Sequence, residues 1–336
     1  MEDKILKFQN QIDKNITKIK IVNKTQQDIF FNAQNKNKEN LYDIKKNFFH
    51  SLRPPNRKLS RIHKGGGVLL RLFDHICREN NLKYWIMAGT LLGAVRADGP
   101  IPWDDDVDIG MLAEDYYKFF ELIKDGLFPD IHLEVRPRLG KKQIHFKHRL
   151  RFKCNENKSP FNNGVGSFID IFIHNYCDDV SPDTLKSMRR FRRRIRYRMY
   201  KSYYFELFKY DNSEPLRERI FQILKEDADI FFNKEYFTSK EKDRGIAFSP
   251  ITSTGWFTEK FSFPVEDYFP LKDIDYSDFK VMVMKNSEEI LSKSYGDIYY
   301  MPNDLITHKH LSIGIQKKWL KEQHKAISKI KKQYGW

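Results

Sequence analysis

The segment IPWDDDVDIGM (101–111) places four aspartates within five positions, between apolar residues. Side chains alternate along a strand, so Asp106 and Asp108 would share one face while the valine between them enters the core. Two ionised carboxylates side by side repel each other and are costly to bury without a bound cation. Oxygen ligands of this kind select Mg²⁺ or Mn²⁺. We therefore predict that Asp106 and Asp108 bind a metal ion. Asp104 and Asp105 would orient this pair, support it from outside the metal's ligands, or face solvent.

A further aspartate, Asp170, lies in FIDIFI (168–173), which has the apolar character of a central strand. A carboxylate buried in a strand needs a partner. Asp170 would be the third metal ligand if its strand lies beside that of the aspartate pair. Otherwise it would pair with Arg149 or Arg151.

A glycine-containing turn lies upstream, where Ala88-Gly89-Thr90 ends a predicted strand and opens the helix-like stretch GTLLGAVRADGP. The backbone N–H groups around Gly89 and the Thr90 hydroxyl can bind phosphate oxygens there. Arg96 would reach the same phosphate bidentately, or it would form a surface ion pair. The chain thus has a phosphate-binding turn, then an Asp-x-Asp strand, then a single aspartate in a later strand. Enzymes of metal-dependent nucleotidyl and phosphoryl transfer have these parts in the same order.

Apolar and basic residues alternate strictly between Ile144 and Cys154, which predicts a strand with one cationic face. That face carries Lys147, Arg149, Arg151 and Lys153. These residues would bind donor phosphates, or at least half of them would face solvent.

The predicted elements follow the order helix, strand, helix, strand, strand and then mostly helices, after an amphipathic N-terminal stretch. This order predicts an α+β fold, with a mixed-sheet core flanked by helices and a largely helical C-terminal half. We divide the chain into an N-terminal helical extension (1–55), a catalytic core (56–180) and a helical and mixed C-terminal region (181–336) that completes the acceptor site.

Apolar residues recur at helical spacing from Ile5 to Ile29, with lysine, asparagine and glutamine between them. Three interpretations of this amphipathic helix stay open. It would pack against the main domain, form a homo-oligomer through a short coiled coil, or adhere to a membrane surface.

The chain has 60 lysines and arginines against 45 acidic residues, a formal net charge of +15. Nucleic acid, anionic lipid head groups and phosphorylated substrates are therefore favoured partners. The basic run RRFRRRIRYR (189–198), interleaved with aromatic residues, fits a helix on an anionic membrane. It also fits the alternative function, a nucleic-acid-binding or polymerase-like nucleotidyltransferase.

The three cysteines, Cys77, Cys154 and Cys177, form no CxxC pair and no disulfide framework. No stretch approaches 18 uncharged apolar residues, so neither a signal peptide nor a membrane-spanning helix is expected. These features predict a cytoplasmic protein, with peripheral contact at the inner face of the cytoplasmic membrane as an open option.

The residues GTLLGAVR, a Gly-Pro turn and IPWDDDVDIGM together closely resemble the LicD family, which includes bacterial phosphocholine transferases and, more distantly, fukutin-related ribitol-phosphate transferases. The resemblance covers about 84–112 almost without interruption. FIDIFI is similar to the family's later aspartate strand, and SYGDIYYMPNDLITHKH (294–310) is similar to its closing segment.

The resemblance implies a nucleotidyltransferase-like core with two catalytic ions, Mg²⁺ or Mn²⁺. It implies transfer of a phospho-alcohol, phosphocholine in the first place, from a CDP-activated donor to a glycan hydroxyl, with release of CMP. The glycan would be capsule, lipopolysaccharide or teichoic acid, free or lipid-linked. Carried onto this chain, Asp106, Asp108 and Asp170 are the catalytic carboxylates and metal ligands, and Gly89 and Thr90 hold the donor phosphate.

Further residues are expected around the substrates. Donor phosphates would contact Arg96, Arg149 and Arg151, choline would find aromatic walls in Trp103, Trp256 and Tyr295, and the acceptor would lie near His308 and His310. The phospho-alcohol stays open among choline, ethanolamine, aminoethylphosphonate, ribitol and glycerol. Because the aspartate segment matches this glycan-modifying family better than a polymerase, nucleic acid is not the expected partner.

Overall fold

The computed structural model describes residues 2–35, 40–54, 56–124, 130–140, 142–153, 164–210, 213–237, 245–249, 261–301 and 317–336. Within these ranges the helices are α1 (Glu2–Gln34), α2 (Leu41–Ser51), α3 (Arg57–Glu79), α4 (Ala88–Ala97), α5 (Ala113–Lys124), α6 (Pro182–Leu207), α7 (Ser213–Ile223), α8 (Asp229–Tyr236), α9 (Val265–Tyr268), α10 (Ser287–Tyr295) and α11 (Lys317–Tyr334). A π-helical turn, Leu224–Ala228, joins α7 to α8.

The strands of the described ranges are β1 (Tyr84–Ile86), β2 (Val107–Leu112), β3 (Ile131–Gly140), β4 (Gln143–Lys153), β5 (Gly164–Cys177), β6 (Gly245–Phe248), β7 (Lys272–Tyr276) and β8 (Phe279–Val283). One mixed sheet contains the strand order β1-β2-β5-β4-β3, and β6 pairs with the end of β5. Strands β2 and β5 run parallel, whereas the other pairs run antiparallel. Strands β7 and β8 form a separate hairpin. The predicted α+β fold with a mixed sheet among helices is confirmed.

The sheet has one apolar face and one polar face, because residue character alternates along β3 and β4. On the apolar face, Leu133 of β3 and Leu150 of β4 meet Leu72 of α3 and Ile123 of α5. The charged residues of the same strands project from the opposite face. The alternation predicted for this part of the sequence is confirmed as far as the end of β4, since Cys154 lies outside the described residues.

The basic run 189–198 lies on α6, which packs against β4. Its arginines are partly engaged within the protein. Arg194 pairs with a glutamate of α8, and the Arg198 guanidinium lies 3.9 Å from the ring centroid of Phe231. Arg196 is 8% exposed. The run therefore takes part in domain packing, which weakens the case for a continuous basic stripe that binds nucleic acid.

The C-terminal turns of α1 pack against the main domain. Phe31 is 2% exposed and meets Phe48 of α2 edge to face, with ring centroids 5.3 Å apart. Other apolar residues of the helix, such as Ile21 and Val22, are exposed. Packing against the domain therefore accounts for this end of the helix. Among the described residues, no helix combines the length and the apolar character needed to cross a membrane.

Gln323 of α11 ties three elements together at the start of β5. Its side-chain oxygen accepts the Ser167 N–H at 2.8 Å, and its amide donates to the Arg61 carbonyl at 2.9 Å. A Cβ atom would lie 2.3 Å from this amide at Gly65 and 1.9 Å at Gly166. Both positions therefore require glycine, and α3, β5 and α11 are held in one arrangement.

We expect Gln323→Ala to lower the free energy of unfolding by about 2–3 kcal/mol, because it leaves the buried Ser167 N–H without its acceptor and opens a small cavity. Urea denaturation followed by tryptophan fluorescence measures this change. Lys321→Ala, at an exposed position of the same helix, is the control and should alter stability by less than about 0.5 kcal/mol. Equal stability of the two variants would show that this amide does not join the three elements.

Candidate active site

Three charged residues form one row across the middle of the sheet. In the parallel pair β2–β5, Asp108 lies opposite Asp170, and in the antiparallel pair β4–β5, Asp170 lies opposite Arg149. Asp108 is 9% exposed, Asp170 is 8% exposed and Arg149 is 6% exposed. The strand that carries Asp108 and the strand that carries Asp170 are therefore direct neighbours, which a shared metal site requires.

The carboxylates of Asp106, Asp108 and Asp170 each offer one oxygen within 4.8 Å of the other two. Oxygens bound to a single Mg²⁺ at about 2.1 Å lie about 3–4 Å apart, so this set fits one divalent ion after small side-chain shifts. Asp104 and Asp105 form a second such group with Asp106, which belongs to both. Carboxylate oxygens are the donors that Mg²⁺ and Mn²⁺ prefer. The arrangement can hold one or two hard cations.

The aspartate loop departs from the predicted strand in one respect. Strand β2 begins at Val107, so Asp106 stands one residue before the strand, and the expectation that both members of the pair lie within it is wrong. Asp105 is 7% exposed, which excludes the solvent-facing option for this residue. A turn at Pro102–Trp103 precedes the aspartates, and Asp106 lies near Asp108 and Asp170 although it stands outside the strand.

The backbone of Asp108 is held from both sides by the turn between β1 and α4. Its N–H donates to the Thr90 hydroxyl at 2.8 Å, and its carbonyl accepts the Met87 N–H at 3.0 Å. Thr90 is 5% exposed. The sequence assigns the Thr90 hydroxyl to the donor phosphate, whereas the structure places its oxygen against the aspartate strand, where it positions Asp108.

The turn before α4 also brings Gly89 against the aspartate loop. Ala88 has a positive φ of 48°, a strained conformation for a residue with a side chain, where the helix begins. A Cβ atom on Gly89 would lie 2.5 Å from the Asp104 carboxylate. Glycine is therefore required here for the approach of Asp104. The first N–H groups of a helix lack intrahelical acceptors and attract anions, so this end of α4 keeps the chemistry expected of a phosphate site.

We expect Gly89→Ala to displace the Asp104 carboxylate and weaken Mn²⁺ binding about tenfold, the lower end of the range for residues that support metal ligands. Electron paramagnetic resonance titration of Mn²⁺ measures the affinity. Gly67→Ala on α3 is the matched control, because a Cβ at that position meets no atom within 4 Å. If both variants bound Mn²⁺ like the unmodified chain, Asp104 would have no part in metal binding.

His63 of α3 contacts the same loop and was not predicted. Its Nε2 donates to the Asp104 carbonyl at 2.7 Å, and the Asp104 carboxylate accepts the Asp105 N–H at 3.0 Å. Burial lowers the pKa of His63, which favours the neutral ring. No local pattern marks this histidine, because its contact with the loop spans 41 positions of sequence.

Arg149 is the second neighbour of Asp170. Its guanidinium donates to the carboxylate through Nε and, at 3.0 Å, through Nη2, and lies 3.9 Å from the ring centroid of Phe168. Burial alone would lower the pKa of Arg149, but the Asp170 carboxylate raises it above its usual value. Lys147 Nζ lies 4.0 Å from the same carboxylate. Arg149 and Lys147 thereby orient the Asp170 carboxylate beside those of Asp106 and Asp108.

Another buried ion pair lies further along the polar face. Arg151 donates to Glu134 of β3 at 2.9 Å, and Arg136 Nε lies 3.1 Å from the same carboxylate. Arg151 is 8% exposed and Glu134 is 3% exposed. The solvated-surface interpretation is therefore wrong for Arg151, as it is for Arg149. A glutamate that the sequence did not associate with this face already occupies the Arg151 guanidinium.

Arg96 lies inside the protein. It is 5% exposed, and its guanidinium lies 4.4 Å from the ring centroid of Phe49 on α2. Burial lowers the pKa of Arg96 to about 10. The surface ion pair considered for this residue is wrong, and the structure places Arg96 between α4 and α2.

The end of α10 brings Tyr295 near the aspartate loop. Partial burial and the carboxylates of Asp108, Asp104 and Asp106 raise the pKa of its phenol. Trp103, directly before the loop, is half-buried and packs against the core. Trp256, His308 and His310 were also expected around the substrates, but they lie outside the described residues.

A comparison with protein families matches residues 81–212 to the LicD/FKTN/FKRP nucleotidyltransferase domain. Residues 81–212 of the chain are therefore similar to the LicD family. The matched segment contains Asp106, Asp108 and Asp170 together with the basic strand β4.

Curated proteins match parts of the chain. It is 49% identical to an uncharacterized protein of Rickettsia typhi over 55 residues, which are 16% of this chain and 18% of that protein. It is 55% identical to an uncharacterized protein of Rickettsia prowazekii over 47 residues, 14% and 18% of the two chains. It is 28% identical over 136 residues to the lipopolysaccharide cholinephosphotransferase LicD of Haemophilus influenzae, 39% of this chain and 49% of that protein. The chain thus spans about half the length of this last relative and less of the first two.

The candidate site extends beyond the LicD-family segment 81–212. His63 lies before it and Tyr295 after it, yet both adjoin the aspartate loop. Tyr295 could be expected from the similarity of the closing segment to the family, whereas His63 could not. The unit that shapes the site therefore includes α3 and α10 as well as the matched domain.

Proposed function

We propose that this protein is a metal-dependent phosphotransferase. It moves a phospho-alcohol, phosphocholine in the first place, from a CDP-linked donor to a hydroxyl of a cell-surface glycan and releases CMP. The observation that carries the proposal is the approach of Asp106, Asp108 and Asp170 to within 4.8 Å of one another on the polar face of the sheet. This set of oxygens suits the hard cations that accompany a diphosphate.

Five carboxylates are available for cations in the proposed reaction. Asp106, Asp108 and Asp170 would hold one divalent ion, and Asp104 and Asp105 would hold a second together with Asp106. A divalent ion held by these carboxylates would supply positive charge to the donor diphosphate and to the departing CMP. In the transfer, the acceptor oxygen bonds to the phosphorus that carries the alcohol, the P–O bond to CMP breaks, and the proton of the acceptor hydroxyl passes to water.

We assign Asp170 to the metal and not to the acceptor proton. A carboxylate that accepts two hydrogen bonds from an arginine binds a proton weakly, and Arg149 makes this pair with Asp170. Arg149 and Lys147 also add positive charge beside the carboxylates. Such charge favours the approach of an anionic donor to a site that is otherwise acidic.

Phosphocholine is the proposed unit because aromatic faces attract quaternary ammonium groups. Trp103 directly precedes the aspartate loop, and Tyr295 lies near its carboxylates. The relative from Haemophilus influenzae is named a lipopolysaccharide cholinephosphotransferase. A glycan acceptor is proposed on the same resemblance.

A donor screen tests the proposed function. The protein is incubated with Mg²⁺, bacterial glycans and a panel of CDP-linked choline, ethanolamine, ribitol and glycerol, and CMP and modified glycan are quantified by mass spectrometry. We expect CMP release from CDP-choline that EDTA stops and added Mg²⁺ or Mn²⁺ restores. A preference for another CDP-alcohol would keep the reaction and replace the donor. Turnover that EDTA leaves unchanged would overturn the metal assignment.

A further inference from the structure

The N-terminal helix α1 carries a heptad repeat. Nine positions between 5 and 33 follow the alternating three- and four-residue spacing of a coiled-coil seam, and seven of them are apolar. The seam consists of Ile5, Phe8, Ile12, Asn15, Ile19, Val22, Gln26, Ile29 and Ala33. A 3.5-residue period kept over about four heptads is typical of helices that wind around another helix.

The residues of α1 that contact the main domain include Lys24, Gln27, Asp28, Phe30 and Phe31. Gln27 exchanges two hydrogen bonds with the backbone of Met301, at 3.2 Å and 2.9 Å. Asp28 accepts the Tyr300 hydroxyl and lies 3.4 Å from Lys45 Nζ. These contacts fix the rotation of the helix about its own axis against the domain.

The docked residues lie outside the seam. With Ile5 at position a, Gln27 and Asp28 take heptad positions b and c, and Lys24 and Phe31 take position f, which is opposite to a and d. Phe30, at position e, borders the seam. Docking therefore turns the seam away from the domain at the C-terminal turns of α1, where its side chains are described. Two seam residues show the result directly, since Val22 is 53% exposed and Ile29 is 64% exposed.

The polar positions of the seam favour a second helix of the same kind over a lipid surface. Asn15 and Gln26 interrupt the apolar stripe. Facing another copy of α1, such amides can hydrogen-bond across the seam, which is how coiled coils specify register. Against lipid acyl chains the same amides would lose their hydrogen bonds at a cost.

The charges beside the seam also permit self-association. In a parallel pair, each g residue faces the e residue five positions further along the partner. Lys4 would then face Gln9, and Lys18 would face Asn23. No like-charged pair opposes association in this arrangement.

We propose that the chain forms a dimer in solution through a coiled coil between the α1 helices of two copies. The occupant of the seam is thus a second copy of this chain. The dimer would leave the domain contacts of Asp28 and Phe31 in place, because they lie on the other side of the helix. It does not depend on the proposed phosphotransferase activity.

Sedimentation velocity of the full chain across micromolar concentrations tests the dimer. We expect a species of twice the 40.3 kDa chain mass. Val22→Lys places unpaired charge in the seam and should raise the dimer dissociation constant at least about 100-fold. Ile21→Lys is the matched control, because Ile21 is 60% exposed on the same turn but takes heptad position c. That variant should dissociate like the unmodified chain, within about threefold.

Three outcomes would overturn the dimer. A chain that stays monomeric up to about 100 µM has no coiled coil of useful strength. Equal weakening by Ile21→Lys and Val22→Lys would indicate general adhesion of exposed apolar residues instead of a seam. Flotation of a monomeric chain with vesicles of anionic phospholipid, lost in Val22→Lys, would assign the same face to a membrane.

Discussion

Asp108→Asn is expected to lower turnover of the CDP-linked donor at least about 10³-fold, which corresponds to about 4 kcal/mol of transition-state stabilisation. Asparagine keeps the shape of the side chain, and the backbone bond from residue 108 to Thr90 is unaffected. The change therefore removes a negative charge from the proposed metal ligands without removing a support of the fold. An uncharged amide oxygen is a weaker ligand for a hard divalent cation than a carboxylate.

Two readouts check this effect: CMP release at saturating Mg²⁺, and Mn²⁺ affinity by electron paramagnetic resonance. Asp115→Asn is the control, since Asp115 is 6% exposed on α5 and belongs to neither carboxylate group. It should retain turnover within about threefold. If Asp108→Asn kept more than about a tenth of the turnover together with unchanged Mn²⁺ affinity, the proposed metal role of β2 would be wrong, and the match of residues 81–212 to the LicD family would stand.

The carboxylates could be predicted because each carries a local signal. The two-residue spacing of Asp106 and Asp108 predicted a common side, although Asp106 stands one residue before β2, and the apolar neighbours of Asp170 mark a buried strand. The pairing of β2 with β5 is not visible in either segment. The sequence allowed only a conditional prediction: Asp170 is a metal ligand if the two strands are neighbours, and otherwise pairs with an arginine. A carboxylate buried in a central strand has few other possible partners.

The ion pairs of the polar face could not be predicted in the same way. Strand β3 contains Pro137, which argues against a central strand, and the structure places β3 at the end of the described strand order, where proline is tolerated. Without β3 there is no Glu134 beside Arg151, and the basic residues of β4 resemble a solvated surface. Alternation in a sequence shows which residues share a face but not what lies against that face.

The N-terminal extension (1–55) lies closer to the site than its sequence indicates. Phe49 of α2 stacks against Arg96 of α4, and His50 lies 3.5 Å from the Asp98 carboxylate at the end of the same helix. Helix α4 begins with the turn that positions Asp108. The extension therefore packs against the helix that supports the candidate site, a long-range effect that no motif in the first 55 residues reveals.

Arg149→Met is expected to lower the free energy of unfolding by about 3–5 kcal/mol in metal-free buffer, because it leaves Asp170 as a buried carboxylate without its bidentate partner. Methionine keeps most of the apolar volume, so the lost charge pair accounts for the effect. A divalent cation at Asp170 compensates the same charge. Saturating Mn²⁺ should therefore stabilise Arg149→Met more than it stabilises the unmodified chain, and the deficit should shrink.

The matched comparison is Arg151→Met, on the same strand and equally buried, whose partner Glu134 is not part of the metal group. It should also destabilise the fold, but its deficit should not respond to Mn²⁺. Urea denaturation of both variants with EDTA or with Mn²⁺ gives the four values required. The double variant Arg149→Met/Asp170→Leu should recover much of the loss, since both members of a direct pair are then apolar. If Mn²⁺ reduced the two single-variant deficits equally, Asp170 would not be a metal ligand, and its pairing with Arg149 would serve the fold alone.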